Sequence, residues 1–201
     1  PNANTATATV TVSEYGTYTF KWTEVSGACS NSSTITVNFY QQPVANAGTG
    51  VSNCGLEFYL NGSINIGTGT WSKVSGPGNA TFSPNANTVN ALVTVTAFGS
   101  YTFRWTVVNG TCSNSATVTI NFIQQSPANA GTGGHECDKD FIFNAVATTG
   151  TGTWTKISGP GNAVFTPDDH QTNTTVIVNQ FGTYTFAWTV VNISCTSTDI
   201  V

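Results

Sequence analysis

The chain repeats itself at a fixed step. Tyr18, Tyr101 and Tyr184 stand 83 residues apart, and so do Trp22, Trp105 and Trp188, and Cys29, Cys112 and Cys195. The other half of the unit keeps the same step. Cys54 recurs at Cys137, Trp71 at Trp154, and Gly76-Pro77-Gly78-Asn79-Ala80 at Gly159-Pro160-Gly161-Asn162-Ala163. Pro1-Asn2-Ala3-Asn4 recurs at residues 84–87 and, diverged, at Pro167-Asp168-Asp169-His170. No insertion breaks the register, so the chain must fold as copies of one small unit joined in series. Gln41-Gln42-Pro43 and Gln124-Gln125-Ser126-Pro127, each followed by Ala-Asn-Ala-Gly, mark the boundaries. Residues 1–42 then form the second half of one repeat, 43–125 a complete repeat, and 126–201 a nearly complete one that stops within its last strand. A half-unit exposes the face it should bury, so the expectation is a window on a longer tandem array.

Within a unit the apolar residues alternate. Tyr101, Phe103, Trp105 and Val107 are separated by Thr102, Arg104 and Thr106, and Val118, Ile120 and Phe122 by Thr119 and Asn121. Val89, Ala91, Val93 and Val95 follow the same rule, and Leu56, Phe58 and Leu60 mark an earlier strand. Period two is the signature of strands with one buried face. About seven such strands in one unit predict an all-β fold of tandem immunoglobulin-like sandwiches. Tyr101, two residues before Phe103, lies where the tyrosine corner of such sandwiches lies. The tryptophans Trp22, Trp71, Trp105, Trp154 and Trp188, with Tyr18, Tyr101 and Tyr184, are read as a recurring core signature rather than as a sugar-stacking platform.

Composition removes whole classes of function. Charged residues make up 7% of the chain and the formal net charge is −4, so no basic surface tracks a phosphate backbone and nucleic acid is excluded as a partner. No stretch of eighteen apolar residues inserts into a membrane. Catalytic, metal and cofactor sites are all read as none. His135-Glu136-Cys137-Asp138 has the composition of a metal cluster, but adjacent residues diverge in direction, and the matching Ser52-Asn53-Cys54-Gly55 lacks ligands. Asp168, Asp169 and His170 belong to a loop at the opposite end of the unit. Asn109-Gly110 suits a tight hairpin, whereas Asn192-Ile193 in the third copy calls for a different turn.

Two cysteines per repeat argue for disulfides in an oxidising, extracellular setting. Strand parity puts Cys54, at the start of the second strand, and Cys112, after the sixth, at opposite ends of a sandwich. They are then over ~20 Å apart, beyond the reach of a bridge. The end carrying Cys54 faces the next repeat, whose own hairpin carries Cys195. A Cys54–Cys195 staple between repeats is therefore favoured. Intra-repeat bridges, Cys54 with Cys112 and Cys137 with Cys195, and free thiols remain as alternatives. Cys29, Cys112 and Cys137 would find partners in adjacent repeats or within their own.

Ala-Asn-Ala-Gly, Gly-Thr-Gly-Thr-Trp, Ser-Gly-Pro-Gly and Gly-x-Tyr-Thr-Phe-x-Trp-Thr followed by Cys resemble the PKD-like repeats of Bacteroidota cell-surface proteins. The resemblance implies tandem sandwiches in a large adhesin on the bacterial surface, of the gliding-motility type exported by type IX secretion. It also implies a filament that holds an adhesive tip, outside these residues, toward polysaccharide or other cells. The Asp-rich loops of many PKD domains are missing, so no calcium role is carried over. The rivals are a carbohydrate- or protein-binding module, which should show outward aromatics that recur between copies, a spacer of a secreted hydrolase, and a self-assembling fibre.

Overall fold

The computed structural model describes residues 2–146 and 149–201, and every regular element in them is a strand. The first two, β1 (Gly16–Ser26) and β2 (Cys29–Phe39), form an antiparallel hairpin that pairs with no further strand among the described residues. Next comes a sandwich built from β3 (Ala45–Asn46), β4 (Val51–Cys54), β5 (Glu57–Tyr59), β6 (Ser63–Ile64), β7 (Thr68–Ser75), β8 (Ala80–Ser83), β9 (Leu92–Val95), β10 (Gly99–Asn109) and β11 (Cys112–Ile123). Its sheets run β4-β11-β10-β7 and β5-β9-β8, with β3 pairing β6 at the edge. All pairings are antiparallel except β4 on β11. The last sandwich has β12 (Asp140–Ile142), β13 (Thr151–Ser158), β14 (Ala163–Thr166), β15 (Thr175–Val178), β16 (Thr185–Asn192) and β17 (Cys195–Ile200), in sheets β13-β16-β17 and β12-β15-β14. The protein is a tandem of immunoglobulin-like β-sandwiches.

The alternation becomes burial. Tyr101, Phe103, Trp105 and Val107 of β10 point inward together with Val118, Ile120 and Phe122 of β11, and meet Val93 and Val95 from the opposite sheet. Inward residues face each other across the strands where Tyr101 pairs with Ile120 and Phe103 with Val118. The outward positions are occupied by uncharged hydroxyls that bond across the strands, Thr102 to Thr119 at 3.2 Å and Thr19 to Thr36 at 3.1 Å.

The Gly-Thr-Gly-Thr-Trp motif acquires a reason here. Trp71 and Trp105 pack 4.9 Å apart, and Trp154 and Trp188 5.0 Å apart, in the same tilted arrangement. Gly69 lies flush on the Trp105 ring and Gly152 on Trp188, where a Cβ would overlap the indole. The tyrosine corner is equally regular. Tyr18, Tyr101 and Tyr184 each donate a hydrogen bond to the carbonyl four residues upstream, on Glu14 at 3.0 Å, Ala97 at 2.9 Å and Gln180 at 2.7 Å.

Two expectations are corrected. Trp22 is not buried in the core of the described residues: it is 38% exposed, against 0% for Trp105, because no second sheet among those residues covers the β1–β2 hairpin; Tyr18 is only half-buried for the same reason. The turn at Asn192-Ile193 is not a different turn. Ile193 has φ 58°, matching Gly27 at 60° and Gly110 at 59°, so a β-branched residue is held in the left-handed region that glycine normally takes.

Candidate functional site: the junction between sandwiches

The places where chemistry and the repeat coincide are the junctions. Strand β4 ends at Cys54, beside Ile123 at the end of β11, and the Gly55 N–H donates to the Ile123 carbonyl at 3.1 Å. Cys54 therefore sits on an edge strand parallel to β11 rather than at the start of the second strand. The next sandwich presents the tip of its β16–β17 hairpin to this corner. Cys195, the first residue of β17 and 1% exposed, is disulfide-bonded to Cys54 with 5.6 Å between the Cα atoms. The bridge joins residues 141 apart in the chain and crosses from one sandwich to the other.

Hydrogen bonds around the bridge tie the linker to the same hairpin. Asn192 Nδ2 donates to the Gln124 carbonyl at 2.9 Å, and Gln125 Nε2 donates to the Thr196 carbonyl at 3.1 Å. Ala128 N–H donates to Ser197 Oγ at 3.1 Å, and Ala130 N–H to an Asp199 carboxylate oxygen at 2.9 Å. The first junction repeats the pattern one step earlier: Asn109 Nδ2 donates to the Gln41 carbonyl at 2.9 Å and Gln42 Nε2 to the Ser113 carbonyl at 2.8 Å. Gln41-Gln42 and Gln124-Gln125 are thus clasps, in which a side-chain amide and a main-chain carbonyl grip the following hairpin.

The remaining cysteines are thiols. Cys112 begins β11 with its Sγ 3.8 Å from the Tyr40 carbonyl, at the place of the first junction that Cys195 occupies in the second. Cys54 lies beside the other end of that 12-residue strand, so the two cannot meet within one sandwich. Cys137 and Cys29 are exposed.

Among the described residues, no three His, Cys, Asp or Glu side chains gather around one point. His135, Glu136 and Asp138 instead line the rim of an open groove in the last sandwich, and His170 lies 3.5 Å from Asp169 on an exposed loop. One outward aromatic does recur. Tyr15, Phe98 and Phe181 occupy the same repeat position and all are exposed, a feature the alternation of β10 does not reveal because the position precedes that strand.

No family model matches the chain, and no curated protein does. Among solved structures, the chain is similar to Drosophila OTK extracellular domains 3–5, at 11% identity and TM-score 0.48, covering 90% of this chain and 68% of that one. It is also similar to titin domains I67–I69, at 14% identity and TM-score 0.43, covering 95% and 74%. The titin tandem A164–A165 matches 81% of this chain at 13% identity and TM-score 0.30, over 95% of its own length.

Proposed function

We propose that these residues are a non-catalytic, load-carrying segment of an extended stalk on a bacterial cell surface, of the kind used by large secreted adhesins, including those of gliding motility. The observation that carries it is the Cys54–Cys195 bridge across the junction. A pull applied through the residues flanking the bridge passes through the S–S bond rather than through the folded sandwiches. The chain between the two cysteines then cannot lengthen while the bond lasts. By the same geometry, Cys112 and Cys137 take partners in adjacent repeats, so that successive staples overlap along an array. Linker clasps and uncharged Thr and Asn surfaces keep such an array straight and indifferent to salt.

Stretching single molecules by the flanks of the staple tests this. Reducing Cys54–Cys195 should let up to about 480 Å of extra contour be drawn out, since the cysteines are 141 positions apart in the chain and each extended residue spans ~3.3–3.6 Å. Full extension without a reductant contradicts the proposal.

A second reading is favoured by the recurring exposed ring at Tyr15, Phe98 and Phe181: one aromatic per repeat suits weak, multivalent contact with a polysaccharide. Replacing all three with Ala should then abolish retention on an immobilised polysaccharide; unchanged retention leaves the rings with no binding role.

A further inference from the structure

The hairpin tips of the three copies differ in one chemical respect. The turn reads Ser26-Gly27 in the first, Asn109-Gly110 in the second and Asn192-Ile193 in the third. Only the second places a side-chain amide directly before a residue without a Cβ. In such a pair the following main-chain nitrogen can reach the amide carbon, because glycine sets no steric barrier to the approach. Ser26 takes the amide out of the pair and Ile193 restores the barrier, while all three turns keep the same left-handed residue, at φ 60°, 59° and 58°.

Two groups of the preceding linker cover Asn109-Gly110. Asn109 is half-buried, and its Nδ2 is held on the Gln41 carbonyl at 2.9 Å. The Tyr40 ring lies on Gly110, where a Cβ would overlap it. Gly110 itself stands beyond the last ladder pair of the hairpin, Asn109 with Cys112, so the ladder does not restrain its nitrogen. The chain's other Asn-Gly pair, Asn61-Gly62, is restrained from within its own sandwich. The Gly62 N–H donates to the Val89 carbonyl at 3.2 Å, and a Cβ there would crowd Trp71. Asn109 is thus protected by the junction and Asn61 by the core.

We propose that Asn109-Gly110 is a deamidation site gated by the first junction. When the linker lifts away, the Gly110 nitrogen attacks Asn109 Cγ and the new C–N bond closes a succinimide. The side-chain nitrogen leaves as ammonia, carrying the proton that the Gly110 nitrogen gives up. Water then opens the ring at either carbonyl and leaves aspartate or isoaspartate, so each conversion consumes one water and needs no oxidant. The product cannot close the clasp again, because a carboxylate has no hydrogen to donate to the Gln41 carbonyl and sets two acceptors face to face. The first junction therefore records its opening irreversibly, whereas the second, built on Asn192-Ile193, closes again unchanged.

The test incubates the whole 201-residue chain, oxidised, in mildly alkaline buffer and follows the amide-to-acid mass change at Asn109 and Asn61 by peptide mass spectrometry. Tyr40→Ala together with Gln42→Ala removes the ring and the Gln42 bond to the Ser113 carbonyl. That variant should convert Asn109 about tenfold faster, the scale of a lost hydrogen bond and a lost ring contact, with Asn61 unchanged. Adding Gly110→Ile, as in the third copy's turn, should suppress the conversion again. Asn109→Asp, one of the end products, should let a protease cut residues 40–44 severalfold faster, and Asn61→Asp should not. Equal conversion of Asn109 with and without its cover, or conversion undiminished by Gly110→Ile, overturns the proposal. So does a parallel rise at Asn61, which reports unfolding of the sandwich instead of opening of the junction, or linker cleavage unmoved by Asn109→Asp.

Discussion

The middle and last sandwiches carry the same corner tyrosine and bury it to different depths. Tyr101 and Tyr184 are the same residue at the same corner with the same upstream hydrogen bond, yet Tyr101 is fully buried and Tyr184 only half-buried. Phe98 is 38% exposed and its counterpart Phe181 is 68% exposed. Nothing local to either tyrosine accounts for this. Ile120 and Phe122 of β11 pack in the core beside Tyr101, whereas the described residues of the last sandwich run only to Val201, the counterpart of Val118. Among the described residues no sheet opposes the β1–β2 hairpin, and there Trp22 meets solvent. Burial in this protein belongs to the completed sandwich rather than to the strand that carries the pattern.

The largest effect should come from the paired tryptophans. Trp105→Ala should cost the middle sandwich about 4 kcal/mol, as for other large-to-small core changes. Trp22→Ala in the open hairpin should cost under ~1 kcal/mol. Denaturant melts that resolve the two sandwiches would read this, and equal costs for Trp22 and Trp105 would break the series. A smaller change concerns the turn. Ile193→Gly should stabilise the last sandwich by about 1 kcal/mol, because it relieves a β-branched residue at positive φ, whereas Gly110→Ile should cost the middle one at least as much. The smallest is at the clasps. Asn109→Ala or Asn192→Ala should each cost about 1 kcal/mol, by leaving a linker carbonyl without its donor.

Much of this was legible in the sequence. The 83-residue step and the alternation of Tyr101, Phe103 and Trp105 lead to sandwiches, since a two-residue period leaves one buried face and the recurring tyrosine fixes a corner. The pattern carries less about ends. Four residues, Val51–Cys54, carry too little alternation to reveal an edge strand that pairs parallel across the sheet, so the pattern alone puts Cys54 at the start of the second strand. Ile193 looked incompatible with the Gly110 turn, because propensity reads a residue alone while the backbone is held by Asn192 on one side and the disulfide at Cys195 on the other. The clasping glutamines carried no signal beyond their recurrence, since a Gln before a Pro reads as a plain linker. The outward ring at Tyr15, Phe98 and Phe181 lies just outside the alternating run, so the two-residue period does not mark it.

The central claim is that neighbouring sandwiches are stapled to each other rather than sealed individually. Proteolysis of the oxidised chain without reductant, followed by mass spectrometry of the linked peptides, addresses it directly. A peptide pair should join Cys54 to Cys195, with Cys112 and Cys137 recovered as thiols that alkylate freely. Recovery of Cys54 joined to Cys112, or of Cys137 joined to Cys195, would contradict it and leave separate domains with a hinge between them.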